Sequence, residues 1–261
     1  MIQIVIIGAG KLASQLAPAL SRSEHVKILQ VLNRNVKKAK ELASKCAAAY
    51  TDSIEQIHKE ADLYIIAVSD SVIVEVASKI QGVLPKNKLV VHTSGATPST
   101  VLSPFFERYG VFYPLQTFSR SKEADFQEIP LLLDASQNSD LEFLETLAKE
   151  ITLKIYRISD EERARVHLAA VFACNFSNYN YSIAQKLLAE KGLAFDLIRP
   201  LILETARLAQ EFNPEQIQTG PAIRKDQPTI DRHLEALEFR PEWRTLYEQL
   251  TEAIQKSNPS K

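Results

Sequence analysis

The chain has only two cysteines, Cys46 and Cys174, in 261 residues. That is too few for a disulfide framework, so a reduced, cytoplasmic setting is expected. It lacks an excess of charge of either sign: 31 basic residues face 32 acidic ones, a net charge of −1. That balance gives no reason to expect nucleic acid or an anionic membrane surface as a partner. Apolar runs such as Leu63–Val68 are far too short to span a bilayer. The apolar start has no basic leader and is not read as a signal peptide, and a strand beginning at residue 2 would leave nothing before the first site. Repeats and low-complexity tracts are absent, and the tail from Ser257 to Lys261 is expected to fray. No His/Cys/Asp/Glu spacing calls for a metal. What remains is a 45% apolar composition, enough for one large or two ordinary domains.

The most specific signal lies at residues 2–13. A run of β-formers ends at Gly8-Ala9-Gly10, followed by Lys11, Leu12 and Ala13. This is the Gly-x-Gly-x-x-Ala form of a dinucleotide-binding turn. Gly8 permits the tight turn, Gly10 lets a pyrophosphate approach the backbone, and Ala13 lets the helix pack close to the sheet. The phosphates would sit on the free N–H groups and positive dipole end of the helix. A second strand at 26–32 follows on time. An NAD enzyme places a carboxylate near its end for the ribose 2′-hydroxyl. Here that acid is missing and Asn33-Arg34-Asn35 stands instead, followed by Lys37 and Lys38. Asn33 and Arg34 would accept a 2′-phosphate, so NADP(H) is expected rather than NAD(H). Pro18 conflicts with the helix pattern and should cost about 3 kcal/mol there.

Alternation of short apolar runs with helical patterns over the first 155 or so residues argues for a parallel sheet covered by helices. Strands are expected at 2–7, 26–32, 63–68, 88–92, 110–113, 129–133 and 152–156, with a minor one at 48–50. Helices are expected near 11–21, 35–46, 71–80, 98–108 and 137–150. Three strand ends carry polar or turn residues that should line the nucleotide crevice. They are Val68-Ser69-Asp70, His92-Thr93-Ser94-Gly95 and Tyr113 through Gln116-Thr117. Beyond 156 only helices are expected. Ser159 and Glu162 form a capping box opening a helix that runs to about Lys191. Others fit 194–212, 226–238 and 241–256. The fold class is therefore α/β: a parallel-sheet nucleotide domain, 1–156, followed by an all-helical domain, 157–261, for substrate or dimerisation.

The long helix contains Asn175, Ser177, Asn178, Asn180 and Ser182, poor helix formers whose cost points to a functional site. At 100° per residue, His167, Val171, Cys174, Asn175 and Asn178 share about 100° of arc. His167 is the first choice for a proton donor, because imidazole titrates near neutral pH. Asn175 would hold a substrate oxygen or nitrogen, and Ser94 would fix the nicotinamide or the substrate. His92 is a weaker acid candidate. Asn178, Gln116, Thr219 and Arg224 are candidate substrate ligands, the last two from the stiff Thr219-Gly220-Pro221 turn.

Taken in order, His92–Ala96, Tyr113–Phe118, Ala169–Asn175 and Thr219–Pro221 with Arg224 and Asp226 resemble the Rossmann-like NADP oxidoreductases that carry a helical C-terminal domain of unknown function. More distantly the chain is similar to pyrroline-5-carboxylate reductases, ketopantoate reductases and 6-phosphogluconate dehydrogenase-like enzymes. The resemblance implies an NADP-linked oxidoreductase and, by analogy, a homodimer through the helical domain. Two departures stand out. Relatives carry His where Tyr113 stands. No Lys occurs between 160 and 185, so the Lys–Asn arrangement of hydroxyacid dehydrogenases does not carry over. The expected activity is NADPH-dependent reduction of a small carbonyl or imine compound. The alternative is a non-catalytic NADP(H) sensor or scaffold. A methyltransferase is disfavoured by Asn33-Arg34.

Overall fold

Side chains of the first strand, β1 (Ile2–Ile7), alternate between two cores. Ile4 and Ile6 join one, while Val5 and Ile7 join the other. A strand buried on both faces reads as a continuous apolar run and belongs in the middle of a helix-covered sheet. The computed structural model describes residues 1–119 and 122–257. Of the tail expected to fray, 258–261 lie outside the described residues, and Ser257 ends the last helix.

The chain continues through α1 (Ala13–Ser21), β2 (Val26–Leu32), α2 (Val36–Lys45), β3 (Ala49–Thr51), β4 (Leu63–Ile66), α3 (Ile73–Gln81), β5 (Leu89–His92) and β6 (Arg108–Pro114). Then come β7 (Leu131–Ala135), α4 (Asn138–Lys149) and β8 (Ile155–Arg157). The eight strands run in the order β3-β2-β1-β4-β5-β6-β7-β8. The order reverses between β1 and β4, and ligands of such sheets bind outside the strand ends at that point. Helices α1, α2 and α4 cover one face and α3 the other. Pro18 sits inside α1, yet Leu16, Ala17 and Leu20 around it are buried. Burial of the two leucines, at about 1.5–3 kcal/mol each, offsets the proline.

In the sheet region two expectations are corrected. The sheet is not wholly parallel: β7 runs antiparallel to β6, and β8 runs parallel to β7. Gly110 on β6 makes this possible, because a Cβ there would lie 2.2 Å from the Asp134 carbonyl oxygen. Nor is 98–108 an α-helix. It holds only a 3-10 turn, Ser99–Leu102, before β6 begins at Arg108. Pro98 and Pro104 bracket that turn, and the Asp160 carboxylate accepts the Ser99 N–H. Asp140, fully buried at the start of α4, accepts two N–H bonds from Arg108 and ties α4 to β6. Gln15 of α1 holds the loop after β6. Its amide donates to the carbonyls of Ser119 and Lys122 and accepts from the Ala124 N–H.

After Arg157 the described residues contain helices only. The capping box is formed as expected, with Ser159 and Glu162 bonded reciprocally at the start of α5 (Asp160–Ala170). A π-helical segment, Val171–Phe176, follows, and then α6 (Ser177–Ala189). The widened turn invalidates the 100° arithmetic that grouped His167 with Asn175 and Asn178. The expected 194–212 helix is a 3-10 turn, Phe195–Leu197, and then α7 (Arg199–Glu211). Asp226 caps α8 (Gln227–Ala236), and α9 spans Pro241–Ser257. The chain divides into two compact units, Met1–Cys174 and Asn175–Lys261, with the division inside the π-helical segment. No helix among the described residues is long and apolar enough to cross a membrane.

Candidate active site

At the β1–β4 switch point the first unit opens into a crevice of about 720 Å³. Its floor is the turn from Gly8 to Leu12. Gly8 has φ +116°, and a Cβ on it would lie 2.3 Å from the Ala67 carbonyl oxygen, so packing demands glycine there. Gly10 differs: a Cβ would meet Ala67 O at 3.9 Å, an ordinary contact. Protein packing does not require Gly10, whereas close approach by a ligand would. No side chain caps α1, and among the described residues the N–H groups of Gly10, Lys11, Leu12 and Ala13 make no hydrogen bond to protein. They form an anion seat at a helix N-terminus of the kind phosphates occupy.

One wall carries Asn33, Arg34 and Lys38 from the end of β2 and the start of α2. The Asn33 amide donates to the Asn35 carbonyl, and Asn35 caps α2 through the Lys38 N–H. These bonds fix the turn and leave the exposed Arg34 facing the crevice. The opposite wall is Val68, Ser69, Asp70, Val72, Glu75, Val76 and Lys79, with Thr93 at the far end. Lys79 bonds Glu75 and, with a smaller contribution from Arg34, holds that carboxyl below its usual range.

Beside Thr93 lies a polar cluster built on β5, β6 and α5. His92 is wholly buried; its Nδ1 accepts the Ser94 N–H at 3.2 Å and its Nε2 lies 3.3 Å from the Pro98 carbonyl. These partners place the proton on Nε2. Burial pushes the imidazole pKa down to about 4. Ser94 is also occupied: its hydroxyl donates to Thr97 Oγ1 and accepts the N–H groups of Ala96 and Thr97. The open chemistry lies one strand further. Tyr113 Oη is 3.2 Å from His167 Nδ1, with the rings edge to face at 6.1 Å. Tyr113 is 9% exposed, and burial, then Asp70, push its phenol pKa up. Gly95 seats the pair, since a Cβ there would lie 2.6 Å from His167 Nδ1 and 2.7 Å from Tyr113 Cζ. Beneath it, Asp160, Arg163 and His167 lie along one stripe of α5. Asp160 accepts Ser99 and Arg163. Burial works to raise its pKa, but those hydrogen bonds outweigh it and hold the carboxyl low.

A solved structure from Bacteroides fragilis, of a protein designated an NADP oxidoreductase, is 43% identical to this chain. It superposes with a TM-score of 0.92 over 98% of both chains. The chain belongs to the same NADP oxidoreductase family. Its residues 1–94 match the family model of shikimate/quinate 5-dehydrogenase, and residues 129–254 match a domain of unknown function, DUF2520. Two more distant structures share the fold. An imine reductase from Myxococcus stipitatus in complex with NADP+ is 15% identical, with TM-score 0.67 over 98% of this chain and 93% of that one. A reductive aminase from Aspergillus terreus in complex with NADPH and ethyl-5-oxohexanoate is 16% identical, with TM-score 0.68 over 99% and 95%. No curated protein matches the chain.

In this member of the NADP oxidoreductase family, the eleven residues expected to hold the cofactor all line the single 720 Å³ crevice. The other expected site residues are dispersed. His167 meets Tyr113, while Ser94 shapes the buried loop. Gln116 is exposed and accepts its neighbour's N–H from Thr117. Asn175 lies in the π-helical segment. Asn178 lines a groove of about 420 Å³ in the second unit with Tyr181, Gln185 and Arg199. Thr219 and Arg224 are exposed on either side of Gly220, whose φ is +108°. Sequence reasoning missed Val72, Val76 and Lys79, although their i, i+4, i+7 spacing after a strand end places them on one helix face. It also missed Arg163, because a charged residue on a capped helix normally points to water.

Proposed function

We propose that the protein is an NADP(H)-dependent reductase of a small carbonyl or imine compound, with residues 1–156 binding the cofactor. The observation that carries the chemistry is the 3.2 Å contact between Tyr113 Oη and His167 Nδ1, beside the crevice and seated on Gly95. The cofactor fits the free N–H groups at the start of α1, the bare Gly10 and the cations Arg34, Lys38 and Lys79. NADPH, when bound, supplies the hydride. The protein must then supply a proton to the substrate oxygen or nitrogen. Tyr113 delivers it, and the half-exposed His167 returns a proton to the phenol and reloads from solvent through Nε2. His92, kept neutral by burial, holds the loop in place through its two hydrogen bonds. Asn175 remains a proposed substrate ligand, supported by the π-helical turn that holds it, a form frequently found at functional sites. Asn178, Gln116, Thr219 and Arg224 are secondary candidates.

Fluorescence titration with NADPH and NADH, followed by a panel of carbonyl and imine compounds, tests this reading. NADPH is expected to bind tighter than NADH. Tyr113→Phe and His167→Gln are each expected to lower turnover by about 10²–10⁴-fold at unchanged NADPH affinity. Tight NADPH binding with no turnover across the panel would leave a nucleotide-binding sensor instead. A homodimer through the helical unit is supported by the exposed Leu187, Leu201 and Leu203 of α6 and α7. Sedimentation as a monomer at micromolar concentration would exclude it.

A further inference from the structure

The side chain of Arg163 is 1% exposed, yet only one of its three nitrogens is used. Nη2 donates to the Thr97 carbonyl and to Asp160 Oδ1, both at 2.6 Å. Nε and Nη1 have no partner among the described residues. A buried cation is costly unless its donors are satisfied, so this arrangement needs an explanation beyond the tie to the Thr97 loop. A neutral donor would make that tie as well.

Arg163 stands one turn before His167 on α5, and His167 Nδ1 is 3.2 Å from Tyr113 Oη, so the buried guanidinium lies close under that pair. Its charge acts on four groups: His92 from β5, Tyr113 from β6, Asp134 from β7, and Asp160 from its own helix. His92 is kept neutral by burial, and Asp160 is the ion partner. Burial pushes the Asp134 pKa up, with the nearby Ser99 hydroxyl working against it. Tyr113 is the only one of the four that the proposed reaction turns into an anion. Its other charged neighbour, Asp70, works the opposite way, against a phenolate.

We propose that Arg163 is a positioning residue whose buried positive charge stabilises the Tyr113 phenolate at the moment its proton leaves. The inference rests on Tyr113 being the proton donor. The Oη–H bond breaks, the electron pair stays on Oη, and the proton goes to the substrate nitrogen or oxygen as the adjacent carbon takes the hydride. The His167 Nδ1 proton then restores the phenol. A fixed charge in a water-excluded site costs no reorganisation during this step, which is the condition under which such groups are most effective. The unfilled donors matter here, because a second carboxylate on Nε and Nη1 would cancel the charge that Tyr113 feels.

The test reads the phenol directly. The ¹³Cζ resonance of labelled Tyr113, assigned with Tyr113→Phe, is titrated between pH 7 and 12 in wild type, Arg163→Lys and Arg163→Met, with the pH profile of turnover measured alongside. Arg163→Met is expected to raise the phenol titration by about one pH unit or more, while Arg163→Lys, which keeps the charge, stays close to wild type. The high-pH limb of turnover should move with it, and kcat should fall at unchanged NADPH affinity. If Arg163→Met does not fold, Arg163→Gln, which removes the charge and keeps a donor for the Thr97 carbonyl, takes its place. An unmoved phenol in the folded variants overturns the inference. A shifted phenol with full turnover in Tyr113→Phe overturns the proton-donor reading and leaves the electrostatics intact.

Discussion

Gly8 and Gly10 stand two residues apart in one turn, and alanine at each should do opposite things. At Gly8 the new Cβ lies 2.3 Å from a backbone oxygen that cannot rotate away, at φ +116°. The strained backbone costs about 1–3 kcal/mol and the overpacking about 1–3 kcal/mol more. At roughly 2–4 °C per kcal/mol for a unit of this size, Gly8→Ala should melt about 4–24 °C below wild type. At Gly10 the backbone is not left-handed and the nearest atom is 3.9 Å away. Alanine there removes freedom only from the unfolded chain, a gain of about 0.4–1 kcal/mol. It also stands where a phosphate must approach the N–H groups. Loss of one charge-assisted hydrogen bond, about 1.5–3 kcal/mol, weakens NADPH binding roughly 10- to 150-fold. Differential scanning fluorimetry and a nucleotide titration on the two variants give the answer. Wild-type NADPH affinity in Gly10→Ala, or equal loss of stability in both variants, would refute the assignment of Gly10 to the ligand.

Other consequences are as direct. Between pH 6.5 and about 4 the unfolded chain takes up a proton that buried His92 refuses, so stability falls as pH falls through that window, by about 3 kcal/mol in total. Urea unfolding at pH 7 and pH 4.5 should show the loss, and His92→Gln should reduce it. Asp140→Asn should cost about 1–3 kcal/mol, less than a fully buried pair, because its partner Arg108 is 40% exposed and stays hydrated. Gly95→Ala should push Tyr113 and His167 apart and lower turnover while NADPH affinity holds; normal turnover would show that their contact is not used.

The glycine turn and the Asn33–Arg34 wall were legible because local rules reach them: a strand, a glycine turn, a helix and a second strand in succession. Val72, Val76 and Lys79 of the opposite wall were not read. The direction of β7 was not legible, because an apolar run such as Leu131–Leu133 carries no arrow. Residues 98–108 misled because Leu102 and Phe106 keep a helical spacing while the backbone obeys Pro98, Pro104 and the bond from Ser99 to Asp160. The site beside the crevice was half visible. His167 was picked for its chemistry, but its partner lies 54 residues away and was read only as one of the strand-end residues of the crevice. The asparagine-rich stretch was read as a sign of function within one helix to about Lys191, whereas a π-helical segment beginning four residues before Asn175 interrupts that helix. Which way its side chains would turn depends on the extra width of that segment, and that width is not written in residue types.

Gln15 has an effect on the order in which the molecule takes shape. Its three bonds to Ser119, Lys122 and Ala124 bridge separations of 104 to 109 residues. Most of the sheet lies between them, so this tether can close only after α1 has docked and β6 has been laid down. A segment tied late, and through side chains such as Gln15 and Arg22 rather than through a strand ladder, should also be first to open. In hydrogen exchange the Ala124 amide should therefore exchange ahead of the strands on either side. Gln15→Leu, which removes these three bonds, should speed that exchange further.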